Sequence, residues 1–164
     1  MHISGGDMMR FNTGMFGGKF MPLHKGHKYC IKVASEECET VYAILFYGGP
    51  REISGEEYIS PEYRWERLCT LCSEFDNVRP ARVDISRMLT PEGKEDWEQE
   101  TPEVLRICGR IDAVYSSEPS YSEYFSRAYP GAEIRLVDVE RKTVPISGTE
   151  IRGMDEKERM KWTI

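Results

Sequence analysis

The stretch "FNTGMFGGKFMPLHKGHKYCIKVASEE", residues 11–37, changes periodicity halfway along its length. Phe11 to Gly18 reads as a strand that runs into a glycine turn. Residues 26–37 read as a helix, with Tyr29, Ile31, Val33 and Ala34 as its apolar part. Around the junction of the two lie Phe16, Gly17, Gly18, Lys19, His24, Gly26 and His27. Two of the three histidines sit there three residues apart, and three readings are open for them: metal ligands, packing residues, or groups that handle phosphate.

Outward from this unit the same alternation repeats. "TVYAILFYG" (40–48) is an almost continuous apolar, β-rich run, as in a strand buried on both faces. "SPEYRWERLCTLCSEF" (60–75) opens with Ser60 as N-cap and Pro61 at the first helical position, then keeps helical spacing. "NVRPARVDI" (77–85) is the third strand, despite Pro80. "TPEVLRICGR" (101–110) reads as a capped helix closed by Gly109, and "IDAVYSS" (111–117) as the fourth strand. "PSYSEYFSRAYPG" (119–131) is helical, "AEIRLVD" (132–138) is a fifth strand, and residues 147–162 give one or two closing helices. The least regular part, "SRMLTPEGKEDWEQET" (86–101), reads as a polar loop over a site, with Trp97 alone in it. Strand-then-helix order predicts a single Rossmann-like α/β domain over residues 1–164: a five-stranded parallel sheet with helices on both faces. Residues 1–9 are expected to be a flexible leader. In such sheets ligands bind beyond the carboxyl ends of the strands.

Composition narrows the classes. With 164 residues, 40% of them hydrophobic, the chain can bury a core without staples. No apolar run approaches the roughly 18 residues of a membrane span, and the start lacks a secretory signal. Five cysteines, an odd number, suit a reducing, cytoplasmic setting rather than a disulfide framework. Cys69 and Cys72 form a CxxC, but Leu68, Leu71, Cys72 and Phe75 fall on one helical face, which reads as buried thiols in a core. A net charge of −6 argues against wrapping nucleic acid. From Met8 to Ser35, however, there is no acidic residue, while Arg10, Lys19, Lys25, Lys28 and Lys32 all fall inside. That island is either a solvated basic face or the seat of a small anion.

Zinc needs three or four ligands, and His24 and His27 have no compact third and fourth. Glycines beside a helix start at Gly26 suit phosphate instead, since backbone N–H groups and the positive dipole end face an incoming anion. No P-loop pattern occurs. Near the other end, "RKTVPISGTEIRG" (141–153) places Ser147 three residues before Glu150, a capping-box spacing, and so opens a second helix N-terminus beside Arg152. Two such ends could grip one triphosphate from both sides.

"FMPLHKGH" and "ISGTEIR", about 120 residues apart, resemble the HxGH and ISxTxIR signatures of a nucleotidyltransferase superfamily. "GKFMPLHKGH", "VYSSEPSYSEYF", "PEYRWERL" and "RKTVPISGTEIR" are similar in detail to the adenylyltransferase domain of NadR-like proteins, which act on nicotinamide mononucleotide. The P-loop kinase domain and the DNA-binding segment of that family's larger members have no counterpart in the sequence, and Lys25 adds a charge within HxGH. The resemblance implies transfer of AMP from ATP to nicotinamide mononucleotide, with release of pyrophosphate. It places His24, His27, Lys19 and Arg152 on the reacting phosphates, and Phe16, Gly17, Gly18, Gly26, Ser117, Glu118, Ser147 and Thr149 around ATP. Trp97 and Arg64 fall to the acceptor, and Mg²⁺ to the phosphate oxygens. Other acceptors stay open, namely phosphopantetheine, or a phosphorylated alcohol with CTP, as does a non-catalytic nucleotide-binding role. The partners expected are ATP and a phosphorylated small molecule, with no nucleic acid and no membrane; a homo-oligomer is compatible with the sequence.

Overall fold

The computed structural model describes residues 9–56 and 58–164, so all but Met9 of the expected leader lies outside the described residues. Five strands, β1 (Phe11–Gly18), β2 (Cys38–Tyr47), β3 (Val78–Asp84), β4 (Ala113–Ser116) and β5 (Glu133–Leu136), form one sheet in the order β3-β2-β1-β4-β5. All four pairings are parallel. Helices α1 (Lys25–Glu37), α2 (Pro50–Ile53), α3 (Pro61–Cys72), α4 (Trp97–Cys108), α5 (Ser122–Ala128), α6 (Gly148–Arg152) and α7 (Glu156–Arg159) fill the connections. The expected Rossmann-like α/β architecture is observed.

Alternation along the strands explains why the sheet needs cover on both sides. Val41, Ala43 and Leu45 of β2 point to one face, where they meet Ile31 and Ala34 of α1 and Leu68, Leu71 and Cys72 of α3. Ile44 of β2, Met15 of β1 and Val114 of β4 point to the other, against Val104 and Cys108 of α4 and Phe125 of α5. Cys72 is therefore core, as its helical face predicts; burial pushes its thiol up to about 12, and all five cysteines are free. At the lower edge of the first face Arg135 of β5 grips the Glu37 carboxylate with two nitrogens, at 3.0 and 2.8 Å, and the Tyr115 hydroxyl donates to it at 2.7 Å.

The difference from expectation that bears on the site is one element boundary. The helix expected from Thr101 starts at Trp97, with Asp96 as its N-cap, and Pro102 lies inside it. Trp97 is thus held on the first turn of α4 rather than in a loop. No helix is long and apolar enough to cross a membrane among the described residues.

Candidate active site

The chain reverses direction across the sheet at β1, since β2 and β3 lie to one side and β4 and β5 to the other. Loops leaving the carboxyl ends of β1 and β4 diverge at that point and open a crevice. A cavity of about 410 Å³ occupies it. Phe16, Gly17, Gly18, Lys19, His24, Gly26 and His27 line it from the β1 side, Ser117 and Glu118 from the β4 side, Trp97 from α4, and Arg152 from α6.

Close packing fixes the glycines. A Cβ on Gly17 would lie 2.6 Å from the Phe46 ring, and one on Gly18 would lie 2.9 Å from the Phe20 ring. Phe20 itself adopts φ 50, an uncommon backbone for a bulky residue, and its ring meets His27 edge-on at 4.9 Å.

The two histidines form one rigid unit. His24 is the N-cap of α1: its Nδ1 accepts from the Gly26 N–H at 3.0 Å, while the His24 N–H donates to Nδ1 of His27 at 3.0 Å. The rings stack with centroids 3.7 Å apart. With both Nδ1 atoms accepting, the ring protons must sit on Nε2 in the neutral tautomers. Burial lowers His24 to about 4, helped by the charges of Arg141 and Arg152. Burial, then His24 and Arg141, lower His27 as well. Both rings are therefore neutral donors at neutral pH. The N–H of Lys25 is taken by the Trp162 carbonyl at 2.8 Å. This corrects the picture of open amides at the start of α1: the Gly26 and Lys25 N–H groups are capped, and the imidazole Nε2–H groups are the donors left for a ligand. The Lys25 side chain is exposed and does not line the cavity, and nothing in the structure explains it.

At the second end, Ser147 caps α6, accepting from the Glu150 N–H at 3.2 Å. Arg152 donates to the Met21 carbonyl at 2.6 Å and to the Thr149 hydroxyl at 3.2 Å, which ties α6 to the loop before α1. The two signature segments thus meet in space, but only Gly148 and Arg152 of the second reach the cavity; Ser147 and Thr149 do not line it. Ser117 contacts the Cys30 thiol at 3.2 Å, and the Glu118 carboxylate caps the turn at Pro119–Tyr121 by accepting from Ser120 N–H.

Arg64 is displaced from its expected role. It is 1% exposed, and its guanidinium is paired with Glu52 and donates to the carbonyls of Ile59 at 2.7 Å and Lys19 at 2.9 Å. It does not line the cavity; it fixes the backbone of Lys19 instead.

Sequence reasoning missed several lining groups. Arg141, on a backbone with φ 56, lowers both histidines and lines the cavity. Tyr121 and Tyr124 meet Trp97 edge-on at 4.8 and 5.2 Å, and Phe125 stacks with it at 6.0 Å, which makes an aromatic wall. Beside it lie two carboxyls. Glu95 pairs with Lys19 at 2.9 Å, and burial and the neighbouring Glu95 raise Glu100 well above the usual carboxylate range. Burial would also raise Glu95, but bonds from Glu100, Lys19 and the Trp97 indole outweigh it and keep Glu95 ionised. The aromatic spacing (Tyr121, Tyr124, Phe125 at one helix turn) was the signal available for the wall. Nothing in the sequence pairs Glu95 with Glu100.

Among the described residues no group of three or more His, Cys, Asp or Glu could hold a metal ion. The cavity offers cations and neutral donors at one end and an aromatic wall at the other, an arrangement that suits a polyphosphate joined to a flat ring system.

Comparison with known proteins agrees with this geometry. Residues 15–154 match the cytidylyltransferase-like family. The trifunctional NAD biosynthesis/regulator protein NadR of Salmonella typhimurium is 30% identical over 155 residues, which cover 86% of this chain and 36% of that protein. The chain therefore spans little more than a third of the length of that relative. A crystal structure of NadR protein in complex with NAD and AMP-PNP superposes with a TM-score of 0.68 at 19% identity, over 93% of this chain and 44% of that one. A bifunctional NMN adenylyltransferase/ADP ribose pyrophosphatase from Francisella tularensis, complexed with AMP and a manganese ion, gives 0.56 at 18% identity, over 89% and 43% of the two chains. At those identities the structures speak for the fold alone, whereas the family match runs from β1 to the end of α6 and includes both signature segments. This chain belongs to the cytidylyltransferase-like family of nucleotidyltransferases.

Proposed function

We propose that the protein transfers the adenylyl group of ATP to nicotinamide mononucleotide, giving NAD and pyrophosphate. One observation carries the reading: a single cavity joins the stacked His24–His27 pair, Arg141 and Arg152 to an aromatic wall around Trp97. The names of the relatives, a NAD biosynthesis protein and an NMN adenylyltransferase, support the same acceptor.

In this reaction a phosphate oxygen of the acceptor attacks the α-phosphorus, and the bond from that phosphorus to the oxygen bridging α and β breaks, with its electrons leaving on pyrophosphate. An ionised phosphate is already a nucleophile, so no side chain has to remove a proton. The chain's work is alignment and stabilisation of charge. The neutral imidazoles of His24 and His27 donate Nε2–H to the α- and β-phosphates without a solvation cost at the moment of reaction. Lys19, held at its backbone by Arg64, meets the charge growing on the transferring group once it leaves Glu95. Arg152 and Arg141 neutralise the departing phosphates, and Gly148 leaves room for them. Ser117 and Glu118 flank the adenosine, and Trp97 lies against the acceptor ring. Because no carboxylate cage is found among the described residues, Mg²⁺ would be held by the triphosphate oxygens, whose charge it would offset.

Purified protein given ATP, Mg²⁺ and nicotinamide mononucleotide should release pyrophosphate in step with NAD. The His27→Ala change should lower kcat by about 100-fold or more, as the loss of one preorganised donor does elsewhere. Unchanged turnover in His27→Ala would remove the imidazole from the mechanism. A panel of triphosphates against acceptors, scored by pyrophosphate, tests the choice of both substrates.

A further inference from the structure

The family match ends at Met154, and the reaction above uses no residue beyond Arg152. The segment that follows is nevertheless tied to both signature segments. The guanidinium of Arg159, the last residue of α7, reaches back to α6. Its Nε donates to the carbonyls of Ile151 at 3.2 Å and Met154 at 3.0 Å, and a terminal nitrogen donates to that of Arg152 at 3.1 Å. A helix of five residues has few internal bonds, and its last carbonyls have no partner within it, so this side chain closes α6. The Arg159 carbonyl then accepts from the N–H groups of Trp162 and Thr163, both at 2.9 Å, and turns the chain toward the loop before α1. There Thr163 pairs with His24 in an antiparallel bridge. The Trp162 carbonyl takes the Lys25 N–H at 2.8 Å, and the Ile164 N–H donates to the Leu23 carbonyl at 3.4 Å. His24 is thus gripped through both of its chain neighbours, on the extended backbone (φ −141, ψ 176) that such pairing selects. Arg67 of α3 fixes the far end, its Nε donating to the main-chain oxygen of Ile164 at 2.8 Å. A hollow of about 270 Å³, lined by Leu23, Tyr63, Arg67, Ile151 and Thr163 among others, lies between this segment, α3 and α6. The segment spans that gap, so its place depends on the hydrogen bonds at its two ends.

We infer that residues 159–164 form a strap that sets the His24 ring, and that Arg67 and Arg159 are positioning residues for the adenylyl transfer. This rests on the reading of His24 as a donor to the reacting phosphates, and not on the identity of the acceptor. Neither arginine lines the active-site cavity. Arg67 works on the histidine side alone: without its bond Ile164 is released, the pairing with Leu23 and Lys25 opens, and the backbone that aims His24 gains freedom. Arg159 works on both sides, because it also closes the helix that carries Arg152. A preorganised donor loses its effect once its position is no longer fixed.

The test is steady-state pyrophosphate release from MgATP and nicotinamide mononucleotide, with amide hydrogen exchange at Lys25 followed by NMR on the same preparations. In Arg67→Met the stem is kept and the donor is lost; in Arg67→Gln the amide nitrogen stands where Nε stood. Arg67→Met should speed exchange at Lys25 and lower kcat at least about tenfold, as a donor shifted out of alignment does. Its KM for MgATP should change little, since Arg141 and Arg152 keep their hold on the phosphates. Arg67→Gln should restore both exchange and kcat. Arg159→Met should lower kcat likewise and also raise the KM for MgATP, because Arg152 moves with α6. Faster exchange in Arg67→Met with full kcat overturns the inference and leaves the strap a purely structural feature. A loss of kcat with unchanged exchange, or one that Arg67→Gln does not repair, overturns it as well. If the wild type releases pyrophosphate with no acceptor of the panel above, the proposed function falls and the positioning role with it.

Discussion

At the scale of single residues, the constraint that bears most directly on the histidines falls on Gly26. A Cβ there would stand 2.8 Å from Cε1 and 3.0 Å from Nδ1 of His24. The histidine ring folds back over Gly26 to take its N–H, so the third position of the signature must lack a side chain for the first to cap the helix. In Gly26→Ala the ring has to swing off its nitrogen, which breaks the cap and the stack on His27 together. Losing an N-cap costs about 1 kcal/mol of stability. Activity should suffer more, because the Nε2–H of His24 leaves its position: kcat should fall by at least about tenfold, on the scale set by misplaced donors. Thermal unfolding and turnover of the same preparation check both, and a variant with full kcat would show that the His24 ring has no need of Gly26. The likeness of His24 to an Asp or Ser cap explains why this helix tolerates a histidine at its start.

At the scale of elements, α4 carries Trp97 and with it the proposed acceptor end of the site, and its first turn hangs on Asp96, which accepts from the Glu98 N–H at 3.1 Å. Asp96→Ala should fray that turn, cost about 1 kcal/mol, and loosen Trp97 and Glu100 together. The expected kinetic signature is a several-fold rise in the KM of the acceptor with the KM for ATP unchanged; equal changes in both would mean that α4 does not belong to the acceptor end. The same helix shows what the sequence could and could not reveal. Its core-facing stripe runs from Val104 to Cys108, and one turn earlier the apolar position is filled by Glu100. A charged residue where periodicity calls for an apolar one, followed by Thr101-Pro102, looks like a helix start. Local pattern lost there to a buried carboxyl at an apolar position. β2 and β4 were legible because burial on both faces writes them as apolar runs, and the two histidines because their signature is local. Arg141, the Tyr121–Tyr124–Phe125 wall and the Glu95–Glu100 contact depend on which loops the sheet order brings together. Arg64 was misread because a buried ion pair with Glu52 has no mark in the sequence.

At the scale of the whole molecule, the site imposes two opposed pH dependences on stability. Folded His24 takes a proton only near 4, whereas an unfolded histidine takes one near 6.5. Between those values the unfolded chain holds more protons, so stability rises with pH, is complete above 6.5 and is lost as the pH falls toward 4. The effect from His24 is about 3 kcal/mol, and lowered His27 adds to it in the same direction. Glu100 acts the other way. It keeps in the fold a proton that an unfolded glutamic acid releases near 4.5, so the folded chain holds more protons above that value and stability falls as the pH rises. Burial sets this first, then the neighbouring Glu95, with the charge of Asp96 adding to it and that of Lys19 opposing it. Urea unfolding between pH 4 and pH 9 should therefore show an acid limb that His24→Asn flattens and an alkaline decline that Glu100→Gln removes, each variant leaving the other limb in place. An acid limb of wild-type slope in His24→Asn would mean that the ring is not neutral in the fold. An alkaline decline that survives Glu100→Gln would mean that the carboxyl beside Trp97 carries no proton, and that the acceptor meets a negative charge there rather than an acid.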